Sequence, residues 1–174
     1  GVSTIPQAFN EQALKAMAAN NKQPLIFPLS NPTSKAECTF QQAVEATDGK
    51  VLFASGSPFP PVVWNGVTLS PAQANNAYIF PCVGFAAVQC GCSQISDDVF
   101  LTAACKLSEM QKEEDIRRGF LFPPFSAIRE VSAILGGGLL KWMFENGYAK
   151  KPLPGSGAQD WEELFRSQMW HCPE

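Results

Sequence analysis

Apolar positions recur at helical spacing near the start of the chain, where Leu14, Met17 and Ala18 share one face behind Asn10, a residue suited to capping a helix. The spacing predicts a helix over 10–20. A short apolar run, Leu25-Ile26-Phe27, then predicts a buried strand, followed by the loop Ser30-Asn31-Pro32-Thr33. A second helix is expected through Gln41 to Ala46, with capping boxes available at Ser34/Glu37 and Thr39/Gln42. Val51-Leu52-Phe53-Ala54 predicts another buried strand, ending in Ser55-Gly56-Ser57-Pro58. Helix, strand, helix, strand with short turns is the pattern of βαβ units on a parallel sheet, so the fold class is α/β.

The second half reads differently. Asn65-Gly66 between Pro61-Val62-Val63-Trp64 and Val67-Thr68-Leu69 predicts a two-residue hairpin, short enough to be a surface flap. Ser96 with Asp97 and Asp98 marks a helix start, with Phe100, Ala104, Leu107 and Met110 or its neighbours expected to face inward. From Ser126 to Tyr148 the spacing of Ile128, Val131, Leu135, Leu139, Trp142 and Met143 predicts the longest helix, closed by Asn146-Gly147. Its Gly136-Gly137-Gly138 run costs about 1 kcal/mol per glycine against alanine, which close packing of a neighbouring helix, or a break, would explain. Lys151 to Gly157 reads as a linker, and Asp160 with Glu163 caps a last helix carrying Trp161, Phe165 and Met169.

Composition narrows the function classes. Apolar residues make up 45% and charged ones only 17% of the 174 residues, a core-forming balance. A net charge of −3 with no Lys/Arg run longer than two excludes a nucleic-acid backbone as partner. The longest apolar stretch, Ala77 to Val88, contains Pro81 and falls short of the roughly 20 residues of a membrane-spanning helix. The six cysteines lie in apolar surroundings and read as reduced thiols, without the spacing of a zinc knuckle. His171, the only histidine, stands near the end of the chain, a poor place to hold a general base. The chain starts at Gly1 with no signal-peptide pattern, which reads as a cut chain. What remains is a set of uncharged donors and acceptors, Ser30, Asn31, Ser55, Ser57, Asn75 and Asn76, several of them at the carboxyl ends of the expected strands, where open α/β sheets bind ligands. The same residue types also make ordinary tight turns, so both readings stay open on composition alone.

The residues themselves carry a resemblance. The stretches Pro28-Leu29-Ser30-Asn31-Pro32-Thr33-Ser34-Lys35-Ala36-Glu37-Cys38-Thr39, Phe53-Ala54-Ser55-Gly56-Ser57-Pro58-Phe59 and Gln73-Ala74-Asn75-Asn76-Ala77-Tyr78-Ile79-Phe80-Pro81 closely resemble the C-terminal part of malic enzymes. A weaker match through Phe122-Pro123-Pro124, Ile128 to Ser132 and Arg166 to Met169 extends it along nearly the whole chain. The Gln-Ala-Asn-Asn form is more similar to plant and algal members than to animal ones.

The resemblance implies an oxidoreductase that uses NAD or NADP and a divalent metal, Mn²⁺ or Mg²⁺, to convert malate to pyruvate and carbon dioxide, in a homo-oligomer. It places Asn31 and Asn76 on the substrate and Gly1, Val2, Ser3, Ser30, Asn31 and Asn75 on the cofactor. The family's proton-transferring lysine and tyrosine, its metal-ligating carboxylates, its substrate arginine and its Gly-rich dinucleotide fingerprint lie upstream of the matched stretches. No catalytic and no metal-ligating residue is therefore expected in this chain, which reads as a fragment inactive by itself. The expected organisation is residues 1–95 as the last βα units of a Rossmann-type NAD(P)-binding domain, with the hairpin near 62–69, and residues 96–174 as a helical C-terminal region. The resemblance leaves chloroplast, mitochondrion and cytosol open. The rival reading is a non-catalytic, malic-enzyme-derived subunit of a larger assembly.

Overall fold

The computed structural model describes residues 1–3, 5–117, 119–152 and 160–170. The expected roles of His171 and most of the linker fall outside them. The chain forms two compact units, one of residues 1–75 with 111–122 and one of residues 76–110 with the chain from 123 onward. Packing thus divides the chain elsewhere than at 95/96, because the apolar stretch after Asn75 is helical and buries itself among helices rather than on the sheet.

The first unit is the expected α/β layer. Strands β1 (Leu25–Ile26), β2 (Leu52–Ser55) and β5 (Ala72–Gln73) form a parallel sheet in the order β1-β2-β5, with Ile26 opposite Phe53 and Ser55 opposite Gln73. On the far side of β1 the main chain of Gly1 bridges Phe27 O (2.6 Å) and Leu29 N (2.8 Å) in the same parallel sense. Helix α1 (Glu11–Asn20) starts where Asn10 Oδ1 accepts from Ala13 N at 2.9 Å, and it buries Leu14. Helix α2 (Phe40–Ala46) starts on a complete capping box: Gln42 N donates to Thr39 Oγ1 and Thr39 N to Gln42 Oε1. The other candidate box, Ser34/Glu37, does not form; Ser34 lies in a 3₁₀ turn over Thr33–Lys35, and Glu37 is buried.

Leu14, Ile26, Cys38, Phe40, Ala43, Val44 and Phe53 make the core of this unit, with the Phe40 and Phe53 rings 5.0 Å apart. The hairpin joins them. Strands β3 (Val62–Trp64) and β4 (Val67–Leu69) pair antiparallel across Asn65 (φ 49°) and Gly66 (φ 78°), the left-handed pair that Asn-Gly favours. It is not the expected free flap, since Val62 is buried and Trp64 and Leu69 pack on the same core.

The second unit is helical. Helix α3 (Phe80–Cys90) has Pro81 in its first turn and ends at Gly91, whose φ of 65° is the left-handed conformation glycine adopts at a helix end. Lys151 Nζ donates to Val88 O at 2.8 Å and closes that end. Helix α4 (Asp97–Glu109) buries the expected Leu107, but Val99 and Ala103 take the places expected for Phe100 and Ala104, and Phe100 is left 47% exposed. The Ser96 hydroxyl pairs with Tyr148 Oη (2.8 Å) instead of capping α4. Helix α5 (Glu113–Arg117) falls in the segment 111–122 that belongs to the first unit.

Helix α6 (Ile128–Glu145) runs unbroken through its three glycines, with Val131, Leu135, Leu139 and Met143 buried as the spacing requires. It packs against α3, α4 and helix α7 (Trp161–Ser167). The glycines admit α7: a Cβ on Gly136 would stand 2.0 Å from the Phe165 ring, and one on Gly137 would stand 2.7 Å from Glu162 Cα. Asp160 caps α7 by accepting from Glu162 N and Glu163 N. Arg166 then joins Glu162 on its own helix to Glu130 on α6.

Candidate binding site at the strand ends

The parallel register delivers three loops to the carboxyl edge of the sheet: Pro28 to Pro32 after β1, Gly56 to Pro58 after β2, and Ala74-Asn75 after β5. They are stitched together. Gly56 N donates to Pro28 O (3.2 Å), Ala74 N to Ser55 O (2.9 Å) and Gln73 Nε2 to Gly56 O (3.2 Å). The Ser55 hydroxyl is buried and donates to Ser57 O at 2.7 Å.

Asn31 is exposed at this edge, and its amide has a defined orientation. Ser57 Oγ donates to Asn31 Oδ1 at 2.5 Å, so the amide oxygen is engaged while Nδ2 meets no acceptor among the described residues. An uncharged N–H donor is thereby left for an incoming acceptor such as a carboxylate or carboxamide oxygen. Gly56 makes room for it. A Cβ there would lie 2.5 Å from Leu29 O and 2.8 and 2.9 Å from the Asn31 amide atoms. The Asn31-Pro32 peptide is cis.

Behind Asn31 lies a residue that the sequence hid. Glu37 has no exposed surface, and its carboxylate accepts from Ser30 Oγ (2.6 Å), Ser3 N (2.8 Å), Ser3 Oγ (3.2 Å) and Ser30 N (3.4 Å). Burial pushes this carboxyl up, but hydrogen bonds from the Ser30 hydroxyl and from the amides of Ser3, Glu37 and Ser30 outweigh it and hold the group at about 2, against an ordinary 4.5. The stabilisation this confers is complete above about 4.5 and is lost as pH falls through that window toward about 2. In urea titrations at falling pH, the stability advantage of the chain over Glu37→Gln should therefore narrow below about 4.5; an advantage independent of pH would contradict it. The signal available in the sequence was an acidic residue between Ala36 and Cys38, in a stretch otherwise without charge after Lys35, and the nearby capping pattern masked it.

Of the expected site residues, Gly1, Val2, Ser3, Ser30, Asn31 and Asn75 belong to the first unit, and Asn76 opens the second. Ser3 and Ser30 meet on Glu37, and Asn31 meets Ser57. Val2 is 78% exposed, and Asn76 is exposed in a 3₁₀ turn over Asn76–Tyr78. Acid–base or nucleophilic chemistry finds little here. Burial, seconded by the Glu37 charge, pushes the Cys38 thiol up to about 12, and burial does the same to Cys82, so neither is a thiolate at neutral pH. Among the described residues no group of three or more His, Cys, Asp or Glu is arranged to hold a metal ion.

A family profile described as malic enzyme, NAD binding domain, matches residues 1–143. The NADP-dependent malic enzyme of Columba livia is 45% identical over 98% of this chain and 30% of its own length. For NADP-dependent malic enzyme 2 of Arabidopsis thaliana the figures are 43%, 98% and 28%, and for the mitochondrial NAD-dependent malic enzyme of Ascaris suum 42%, 98% and 26%. The chain thus spans less than a third of the length of these relatives. The crystal structure of malic enzyme from Pyrococcus horikoshii shares the fold, with a TM-score of 0.68 over 93% of this chain and 32% of that one, at 21% identity. Since the profile spans all three strand-end loops and most of α6, the chain belongs to the malic enzyme family, residues 1–143 matching its NAD-binding domain.

Proposed function

We propose that this chain supplies substrate- and cofactor-orienting residues to a malic enzyme, which oxidises malate and releases pyruvate and carbon dioxide while reducing NAD or NADP. The observation that carries the reading is the Asn31 amide, its oxygen held by Ser57 and its nitrogen left as a donor at the carboxyl edge of a parallel sheet. Asn31 donates to a malate carboxylate oxygen or to the nicotinamide carboxamide, and Asn76 takes the same part that the family resemblance gives it. Gly1, Val2, Ser3, Ser30 and Asn75 line the cofactor side. The dinucleotide, when bound, accepts the hydride from the hydroxyl-bearing carbon of malate. Fixed neutral donors suit this work, because a dicarboxylate is held without a proton being lent or taken. The family resemblance puts the ligands for Mn²⁺ or Mg²⁺ in the remainder of such an enzyme.

Two assays test the reading together. The purified 174-residue chain should show no malate-dependent reduction of NAD or NADP. Joined to the upstream part of a related NADP-dependent malic enzyme, in place of that enzyme's matching segment, it should support the reaction. A folded hybrid without activity, or full activity in the isolated chain, would overturn the assignment of roles.

A further inference from the structure

Glu37 is unusual in how its charge is held. It is completely buried, and no Lys or Arg forms an ion pair with it among the described residues. Its partners are N–H and O–H groups of two residues far apart in the chain, Ser3 and Ser30. A buried, unpaired charge is costly unless hydrogen bonds satisfy it. A carboxylate, being acceptor only, takes all four donors, three on Oε1 and Ser30 N on Oε2; a glutamine with its oxygen in the place of Oε1 would turn its N–H₂ toward Ser30 N, itself a donor.

A second, independent observation concerns Gly1. A Cβ built there would fall 2.8 Å from both Cγ and Cδ of Glu37 and 2.7 Å from the Phe9 ring, so the side chain reaches its place only because position 1 has none. The main chain of Glu37 adds to the same strap, its carbonyl accepting from Phe9 N at 2.9 Å. Ser30 directly precedes Asn31, and the Gly1–Ser3 segment runs alongside the end of β1. Glu37 thus touches residues on both sides of the edge where Asn31 presents its amide, without being exposed there itself.

We propose that Glu37 is a positioning residue for this site: its buried carboxylate ties Ser3 to Ser30, fixing the Gly1–Ser3 segment against the end of β1 and holding the loop that carries Asn31 in one conformation. The proposal rests on the binding role given above to these loops. It assigns Glu37 no contact with substrate or cofactor and no proton transfer. Its effect on binding comes through the residues it restrains.

The test uses the 174-residue chain as it stands, with NADP⁺ and NAD⁺ as probes. Amide hydrogen exchange at Ser3, Ser30 and core positions such as Val44 and Phe53 is compared in the parent chain, Glu37→Gln and Glu37→Asp, alongside dinucleotide affinity by saturation-transfer NMR. In Glu37→Gln, exchange at Ser3 and Ser30 should rise at least about tenfold with the core unchanged, and affinity should fall about fivefold or more. Glu37→Asp keeps the charge and should recover part of both, a rescue that a merely space-filling role would not give. Should Glu37→Gln fail to fold, Gly1→Ala, which crowds the carboxylate without removing it, should reproduce the local exchange change. Unchanged exchange at Ser3 and Ser30, or affinity unchanged while exchange rises, would overturn the proposal. If the parent chain binds neither dinucleotide, affinity is read in the joined enzyme described above, where unchanged affinity in Glu37→Gln would overturn the effect on binding, and the exchange comparison in the chain itself decides whether Glu37 ties the two segments.

Discussion

Gly137→Ala should weaken the second unit by about 1–3 kcal/mol, although alanine is the better helix former by about 1 kcal/mol. The added methyl would stand 2.7 Å from Glu162 Cα, 2.8 Å from Glu162 N and 2.8 Å from the Trp161 carbonyl carbon. These are main-chain atoms, so no rotamer change relieves the contact, and α7 must shift off α6. Gly136→Ala meets the buried Phe165 ring and should act in the same direction. Gly138→Ala is the control: its nearest neighbours are the flexible end of Lys106 at 3.4 Å, so the helix-propensity gain should survive and the chain should be unchanged or slightly more stable. Urea unfolding followed by tryptophan fluorescence reads all three. Equal effects at 137 and 138 would mean that α7 does not sit in the glycine groove.

Asn31→Ala should lower malate-dependent kcat/KM in the joined enzyme by about ten- to a hundredfold, the range for losing a hydrogen bond to a charged group. Gly56→Ala should come close to the same loss although it removes no polar atom, because its methyl would occupy the space of the Asn31 amide and the Leu29 carbonyl. Ser57→Ala frees the amide to turn over and should cost less than either. Asn31→Asp should be at least as damaging as alanine, since it replaces N–H donors by a charge of the same sign as the substrate. Activity in Gly56→Ala equal to the parent would show that the Asn31 amide takes no part in binding.

Much of this architecture was legible along the chain wherever a local rule acts alone. Asn10, Thr39 with Gln42, and Asp160 all cap the helices their spacing announces, and Asn65-Gly66 turns the hairpin. The parallel sheet and the βαβ order followed from apolar runs and short turns, and the glycine run in α6 does mark a close helix contact. Where tertiary packing decides, the sequence was mute. Helix α3 is apolar on nearly every side, with Phe80 and Val88 exposed and Cys82 and Val83 buried, so no amphipathic period betrays it. Strand β5 is two residues long, Ala72 and Gln73, and owes its existence to the edge of β2. In α4 Leu107 faces inward as its spacing announces, but Val99 and Ala103 replace Phe100 and Ala104, because apolar residues on both neighbouring rows let the helix turn either toward its partner. The placement of the loops and of Asn31 at the strand ends was readable from type and position. The orientation of the amide, the room left by Gly56 and the buried carboxylate of Glu37 were not, because each depends on residues more than twenty positions apart or on space that only the fold creates.

The first unit is discontinuous, leaving at Asn75 and regained only over 111–122, where Gln111 Nε2 donates to Phe120 O at 2.9 Å. On a ribosome this imposes an order of events. The sheet and its hairpin leave the exit tunnel before α3 and α4, so the first unit lacks its last segment while residues 76–122 are added, about two to nine seconds of elongation at ordinary rates. An excised sheet domain would by the same logic need to run past residue 122 rather than stop at 75.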